Sequence, residues 1–256
     1  MKTVSIKDEK ESTNLEINKS FIKINSEELI EMGEKICKNK DLISLKLELV
    51  NCQFQNDNLA TLIEFIVQNV NLKKLYLYLG CNNIQTQGII NMSQLMVNLV
   101  NLNFLILSFG DCQIGSLGFL HIAQAISKLT DLKILRIHFW NCRLKNEYIN
   151  QIAQSIQSWN NIQHLSFDLS NNRLNNEGII LIAQSLSKLE SLKGLLLNLE
   201  QNSHSSSGCF EVVKCLKQLK NLLSLNLNLK FQNINSYSIQ LIQRRCKKMK
   251  RLVFFR

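Results

Sequence analysis

From position 41 onward the apolar residues follow two rhythms in turn. Leu45, Leu47 and Leu49 alternate with other residues, and the same three positions return every thirty residues. They read Leu75, Leu77, Leu79; Leu105, Leu107, Phe109; Leu135, Ile137, Phe139; Leu165, Phe167, Leu169; Leu195, Leu197, Leu199; and Leu225, Leu227, Leu229. A period of two predicts a strand with one face buried. Later in each unit the spacing becomes helical. In the unit that begins at Asn161, Ile179, Ile182, Ala183, Leu186 and Leu189 stand at i, i+3, i+4, i+7 and i+10. Between the two halves lie a Cys or Asn column (Cys52, Asn82, Cys112, Cys142, Asn172, Asn202) and an apolar one (Phe54, Ile84, Ile114, Leu144, Leu174). Gly88, Gly118, Gly178 and Gly208 mark the turn into the helix. Each unit therefore reads strand, turn, helix.

One such unit cannot bury both its strand face and its helix face, so neighbouring units stack and their strands form a parallel sheet about 4.8 Å apart. The predicted layout is one solenoid domain. Residues 1–40 form a degenerate N-terminal capping unit, residues 41–250 seven repeats, and residues 251–256 a truncated basic strand. In the capping unit Leu15 and Ile17 fall in the strand columns, Ile24 in the turn column, and Leu29, Met32, Gly33 and Ile36 in the helix columns, with Ser26 placed as the N-cap. Leu252 and Phe255 fall in register with a further strand, which leaves the C-terminal edge without a cap.

The unit LxxLxLxLxxCxL resembles the leucine-rich-repeat family, and its long helical half resembles the ribonuclease-inhibitor-like branch. The resemblance covers nearly the whole chain and implies an α/β arc, with a parallel sheet on the concave face and helices on the convex face. Two residues are added to the usual strand motif, which widens the inner sheet by roughly 7 Å. In such solenoids the concave face reads the partner. Some proteins resembling this branch activate small GTPases, which offers a regulator of a GTPase as an alternative function. That analogy rests on fold alone.

Composition changes the picture at one end. Of the 256 residues 45% are hydrophobic and the formal charge is +10. Residues 1–40 hold eight basic and eight acidic side chains, residues 41–213 eleven and twelve, and residues 214–256 eleven and none. Arg244, Arg245, Lys247, Lys248, Lys250 and Arg251 form a basic docking end for an acidic protein surface, with nucleic acid or anionic lipid as further options. The competing reading is a charged cap that keeps the end soluble. Ile239, Ile242, Cys246 and Met249 would face the core on that last helix. RRCKKMKR also resembles a nuclear-import signal. The first residues lack the apolar stretch of a signal peptide, and no run is long enough to span a membrane. The eight cysteines follow the repeat and not a CxxC pattern. These features predict a soluble, unprocessed, cytoplasmic protein with reduced thiols, with cytoskeletal or nuclear association as variants.

No nucleotide-binding, zinc-protease or serine-hydrolase motif is present. Cys112 and Cys142 should be neighbours, yet a buried ladder facing the turn backbone explains them without zinc, so no metal and no cofactor are expected. The three outward columns read Lys46, Tyr76, Ile106, Arg136, Ser166, Leu196, Asn226; Glu48, Tyr78, Ser108, His138, Asp168, Asn198, Asn228; and Val50, Gly80, Gly110, Trp140, Ser170, Glu200, Lys230. Tyr76, Tyr78, Phe104, Ile106, Arg136, His138 and Trp140 gather on three adjacent strands. Trp, Tyr and Arg dominate binding hot spots, so this cluster is the candidate partner-binding surface. Alternatively, Trp140 folds over its own strand end and the tyrosines are ordinary strand formers. His138 beside Asp168 lacks a nucleophile and reads as a solvated pair. Ser203 to Ser207 reads as a loose loop. The expected function is a non-enzymatic protein–protein interaction module, a scaffold or subunit of a larger assembly. A subunit of an RNA–protein complex is a further alternative, resting on the basic end.

Overall fold

A computed structural model of the protein describes residues 13–230, 236–247 and 252–255. Nine strands form one parallel sheet in chain order: β1 (Asn14–Asn18), β2 (Ser44–Glu48), β3 (Lys74–Tyr78), β4 (Phe104–Ser108), β5 (Ile134–His138), β6 (His164–Asp168), β7 (Gly194–Asn198), β8 (Ser224–Asn228) and β9 (Leu252–Phe255). A helix follows each of the first eight strands: α1 (Ser26–Lys38), α2 (Asn56–Ile66), α3 (Thr86–Met96), α4 (Gly115–Ile126), α5 (Ile149–Gln157), α6 (Asn176–Leu186), α7 (Ser206–Leu216) and α8 (Ser236–Lys247). Each helix packs on the next, as each strand does. The architecture is an α/β leucine-rich-repeat solenoid, its parallel sheet lining the concave face and its helices the convex one.

The strand columns explain the register. From β1 to β8 every Cα partner stands thirty residues away, Leu45 opposite Leu75 and Leu195 opposite Leu225. A slip by one residue would turn each buried leucine column to solvent, so the alternation excludes every odd shift of register. The ladder runs past the strand ends: Leu79 N donates to Ser108 O at 2.8 Å and Cys81 N to Gly110 O at 2.8 Å. At the last strand the sequence register fails. Leu252 pairs with Ser224 and Phe255 with Leu227, two residues short of the thirty-residue offset, a shift that still preserves the alternation of faces. Of the residues assigned to the core side of α8, Ile242 is buried; the side chains of Ile239, Cys246 and Met249 lie outside the described residues.

Between sheet and helices lies one continuous core to which every unit contributes. A fully buried leucine is worth about 1.5–3 kcal/mol relative to exposure, so the strand columns and the apolar helix faces both contribute strongly to stability. Aromatic residues concentrate in the middle. Phe119 meets Phe139 and Phe167 edge to face, both with centroids 5.8 Å apart, and Trp159 packs on Phe167. Trp159 is buried because its Nε1 donates to Ala123 O at 3.1 Å.

The turn column works as a backbone clamp. Asn82 accepts from Cys52 N and Phe54 N through Oδ1, and donates through Nδ2 to Leu49 O and Leu79 O, all at 2.8–3.0 Å. Asn172 repeats this against Cys142, Leu144, Phe139 and Leu169. Where cysteine stands instead, only a donor remains: Cys112 Sγ donates to Leu79 O and Cys142 Sγ to Phe109 O at 3.1 Å. Burial pushes the Cys112 thiol up to about 11 and the Cys142 thiol higher still. Among the described residues no group of three or more His, Cys, Asp or Glu is placed to hold a metal.

Three local expectations need correction. The glycines at the strand-to-helix junction serve close packing and not a turn conformation. Gly88, Gly178 and Gly208 lie inside α3, α6 and α7, where a Cβ would meet Asn56, Asn146 and Asn176 of the preceding unit at 2.5, 2.5 and 2.3 Å. Those asparagines cap the next helix entry, as Asn176 Oδ1 does by accepting from Ser205 N at 2.8 Å. Where Tyr148 replaces the glycine, α5 starts at Ile149 and Tyr148 is turned outward with φ 61°. The stretch Ser203 to Ser207 is ordered: Ser203 N donates to Leu174 O, His204 is buried with Nε2 3.2 Å from Leu229 O, and Ser206 opens α7. The cap of α1 is Asn25, one residue before the expected Ser26, in a reciprocal capping box with Glu28.

Candidate partner-binding surface

Strand pleating places residues 46, 48 and their equivalents on the open face of the sheet. At its N-terminal end the charges there satisfy one another. Lys46 Nζ lies 2.6 Å from Glu16 and 2.8 Å from Glu48, and Asn18 Nδ2 donates to the other Glu48 oxygen at 2.6 Å. The hydrogen bonds to Glu16 and Glu48 hold the Lys46 ammonium above its ordinary range.

The next three strands are different. Lys74, Phe104 and Ile134 share one row, and Tyr76, Ile106 and Arg136 the row beside it. The Tyr76 and Phe104 rings lie 4.7 Å apart, and the Arg136 guanidinium stands 5.9 Å from the Phe104 centroid. These side chains close over Ile106, which is 2% exposed. Ile106 is therefore a floor for the cluster and not a contact residue, because its large neighbours meet above it. Arg136 is exposed and, among the described residues, has no acidic partner within ion-pair distance.

The following row holds Tyr78, Ser108 and His138, all half-buried. Burial holds the His138 imidazole below its ordinary pKa, with Arg136 adding to the effect and Asp168 opposing it. His138 and Asp168 pair in register, but Asp168 Oδ1 is engaged by Ser170, accepting from its N at 3.0 Å and its Oγ at 2.6 Å. Desolvation also raises the Tyr78 hydroxyl pKa. Beyond the strand ends, Trp140 lies across Gly110 of the preceding unit, where a Cβ would meet the indole Nε1 at 1.9 Å. Trp140 thus covers its neighbour's glycine, not its own loop, and stays 36% exposed.

The structure brings Tyr76, Phe104, Ile106 and Arg136 together, sets Tyr78 and His138 in the next row, and puts Trp140 at the rim. It also extends the surface beyond the sequence-predicted cluster. A depression of about 820 Å³ runs from Phe104 across Ile134, His164 and Gly194 to Leu196 and Asn226. Leu196 is 38% exposed at its centre. Leu196 stands in an outward column of the sequence, so an aliphatic residue in a row of polar ones was the available signal. Gly194 gives no such signal, since only the sheet shows that the His164 ring packs against it, with Nδ1 2.7 Å from where a Cβ would stand.

Of the basic end, Arg244 is exposed on α8. The side chains of Arg245 and Lys247, and the residues Lys248, Lys250 and Arg251, lie outside the described residues. No described helix is long and apolar enough to cross a membrane.

No protein-family model matches the sequence, and no curated protein matches it. Among solved structures the fold is similar to that of "Leiomodin-1 Actin-Binding Site 2 (ABS2)", at 17% sequence identity and a TM-score of 0.43, covering 63% of this chain and 90% of that one.

Proposed function

We propose that this chain is a non-enzymatic protein–protein interaction module, a scaffold or subunit of a larger assembly, that receives its partner on the concave sheet. One observation carries the reading: aromatic and cationic side chains on β3–β5 stay accessible, while the charges beside them on β1 and β2 are consumed internally. Interfaces draw most of their energy from such aromatic and arginine anchors. The long helical half of every unit supports placement in the ribonuclease-inhibitor-like branch. Cross-linking mass spectrometry of the native complex tests the reading. Partner cross-links should fall on the concave lysines Lys46, Lys74 and Lys230; cross-links confined to helix-side lysines such as Lys188 and Lys214 would reject it.

A second contact is favoured by the charge distribution, with eleven basic and no acidic residues from position 214 onward. Such a cluster steers an acidic protein surface to the C-terminal end and weakens as salt rises. Reversing Arg244, Lys247 and Lys248 to Glu should weaken association at low salt and flatten its salt dependence.

A further inference from the structure

Resting on the concave face as the binding surface, we infer that the partner presents an acidic side chain and an aliphatic one about 10 Å apart, the first pairing with Arg136 and the second seated beside Leu196. Arg136 is the anchor because its charge is exposed and unspent. Phe104 holds the guanidinium from one side, and Asp168, the acidic side chain one strand away, has Oδ1 committed to Ser170. A guanidinium fixed on an aromatic face, with its donors open, matches a planar carboxylate. Lys74, exposed in the row that Phe104 shares, adds positive potential on the N-terminal side. Asp168 and Glu200 carry negative charge on the C-terminal side. The carboxylate therefore sits towards Phe104 and Lys74, and the rest of the segment runs towards β7.

There it meets an apolar seat. Gly194 lets the His164 ring and the Ser224 hydroxyl close over the backbone, where a Cβ would meet them at 2.7 and 3.2 Å, and Leu196 lines the depression beside them. Arg136 on β5 and Leu196 on β7 share one column, separated by two strand spacings or about 10 Å. A polyproline II segment covers that distance in three residues, one full turn, and a helix in two turns, each with both side chains on one face. A nucleic-acid backbone fits poorly, because it needs a run of cations and here meets Asp168 and Glu200 after two.

The test is selection of a display library of random 16-residue peptides on the full chain, repeated on Arg136→Gln and Leu196→Ser after circular dichroism shows both folded. The expected result is an enriched motif that pairs Asp or Glu with Leu, Ile, Val or Met at a spacing of three in polyproline II or seven in helical peptides. Enriched peptides should bind Arg136→Gln about tenfold more weakly or worse, as loss of a charged hydrogen-bonded pair implies. Leu196→Ser should abolish the aliphatic preference while keeping the acidic one. Peptides that lack an acid yet lose binding on Trp140→Ala or Tyr78→Ala would overturn this inference and leave the concave binding surface standing. No enriched peptide, or peptides indifferent to all four substitutions, would count against both. A single-stranded RNA oligonucleotide bound through Arg136, with no acidic peptide selected, would overturn the inference in favour of nucleic acid.

Discussion

The two halves of the concave sheet use similar residue types in opposite ways. On β1 and β2, Glu16, Lys46, Glu48 and Asn18 form a closed network, in which the one cation is held between two carboxylates of the protein itself. On β3–β5, Arg136 stands over an aromatic ring with no carboxylate within ion-pair distance among the described residues, and Tyr76 and Phe104 remain half-exposed around it. Counting charges along the chain does not distinguish these regions. What matters is whether each charge finds its counter-charge one strand away, because a neighbour at 4.8 Å can be paired and one at twice that spacing is screened by water.

The contrast can be broken most strongly at Gly110. A side chain there collides with Trp140, so Gly110→Val should destabilise the fold by about 3 kcal/mol and displace the indole from the rim. Chemical denaturation measures the first effect and tryptophan fluorescence the second. Phe104→Ala should cost less, about 2 kcal/mol, because the ring is only half-buried, but it uncovers Ile106 and frees Arg136. Binding should then fall together with stability, unlike in Arg136→Gln, where stability should hold.

Smaller still is the response to acid. Burial holds His138 and His204 below their ordinary pKa, so both are neutral in the fold at pH 7. The unfolded chain takes up protons on these groups first as pH drops. Their contribution is therefore complete above about 6.5, the ordinary histidine value, and is lost as pH falls through the lower folded value. Thermal melts between pH 8 and pH 5 should decline, and His204→Leu should flatten the decline. The mildest effect belongs to Lys46→Gln. Its raised pKa means that the contribution is complete below the ordinary lysine value and lost only as pH rises through the folded one. The variant should differ little from the parent at neutral pH, and less again at high salt. A large loss of partner binding in Lys46→Gln would erase the distinction between the two halves.

Much of this was legible in the sequence because repeats make local chemistry redundant. The leucine columns specify strand, face and register together, and seven copies agree. The Cys and Asn column announces a turn ladder, and burial of all six members follows from their need to reach backbone groups of the neighbouring unit. The glycine column was legible as a position but not as a role: its purpose depends on an asparagine thirty-two residues earlier, as with Asn146 and Gly178. Tyr148 is the informative departure: α5 starts at Ile149, whereas Glu28 and Asn58 in the same column leave α1 and α2 starting two residues before them.

The sequence by itself determined the solenoid, its period and the set of side chains on the open face, since the alternation fixes which residues of each strand are buried and the repeat fixes where each strand recurs. Which of those side chains remain available to a partner was decided only by the tertiary structure. Ile106 disappears beneath Tyr76, Phe104 and Arg136, while Leu196 stays exposed on the wall of the depression. Exposure on a sheet depends on the size and charge of residues thirty positions away, and that quantity exists only once the strands lie side by side.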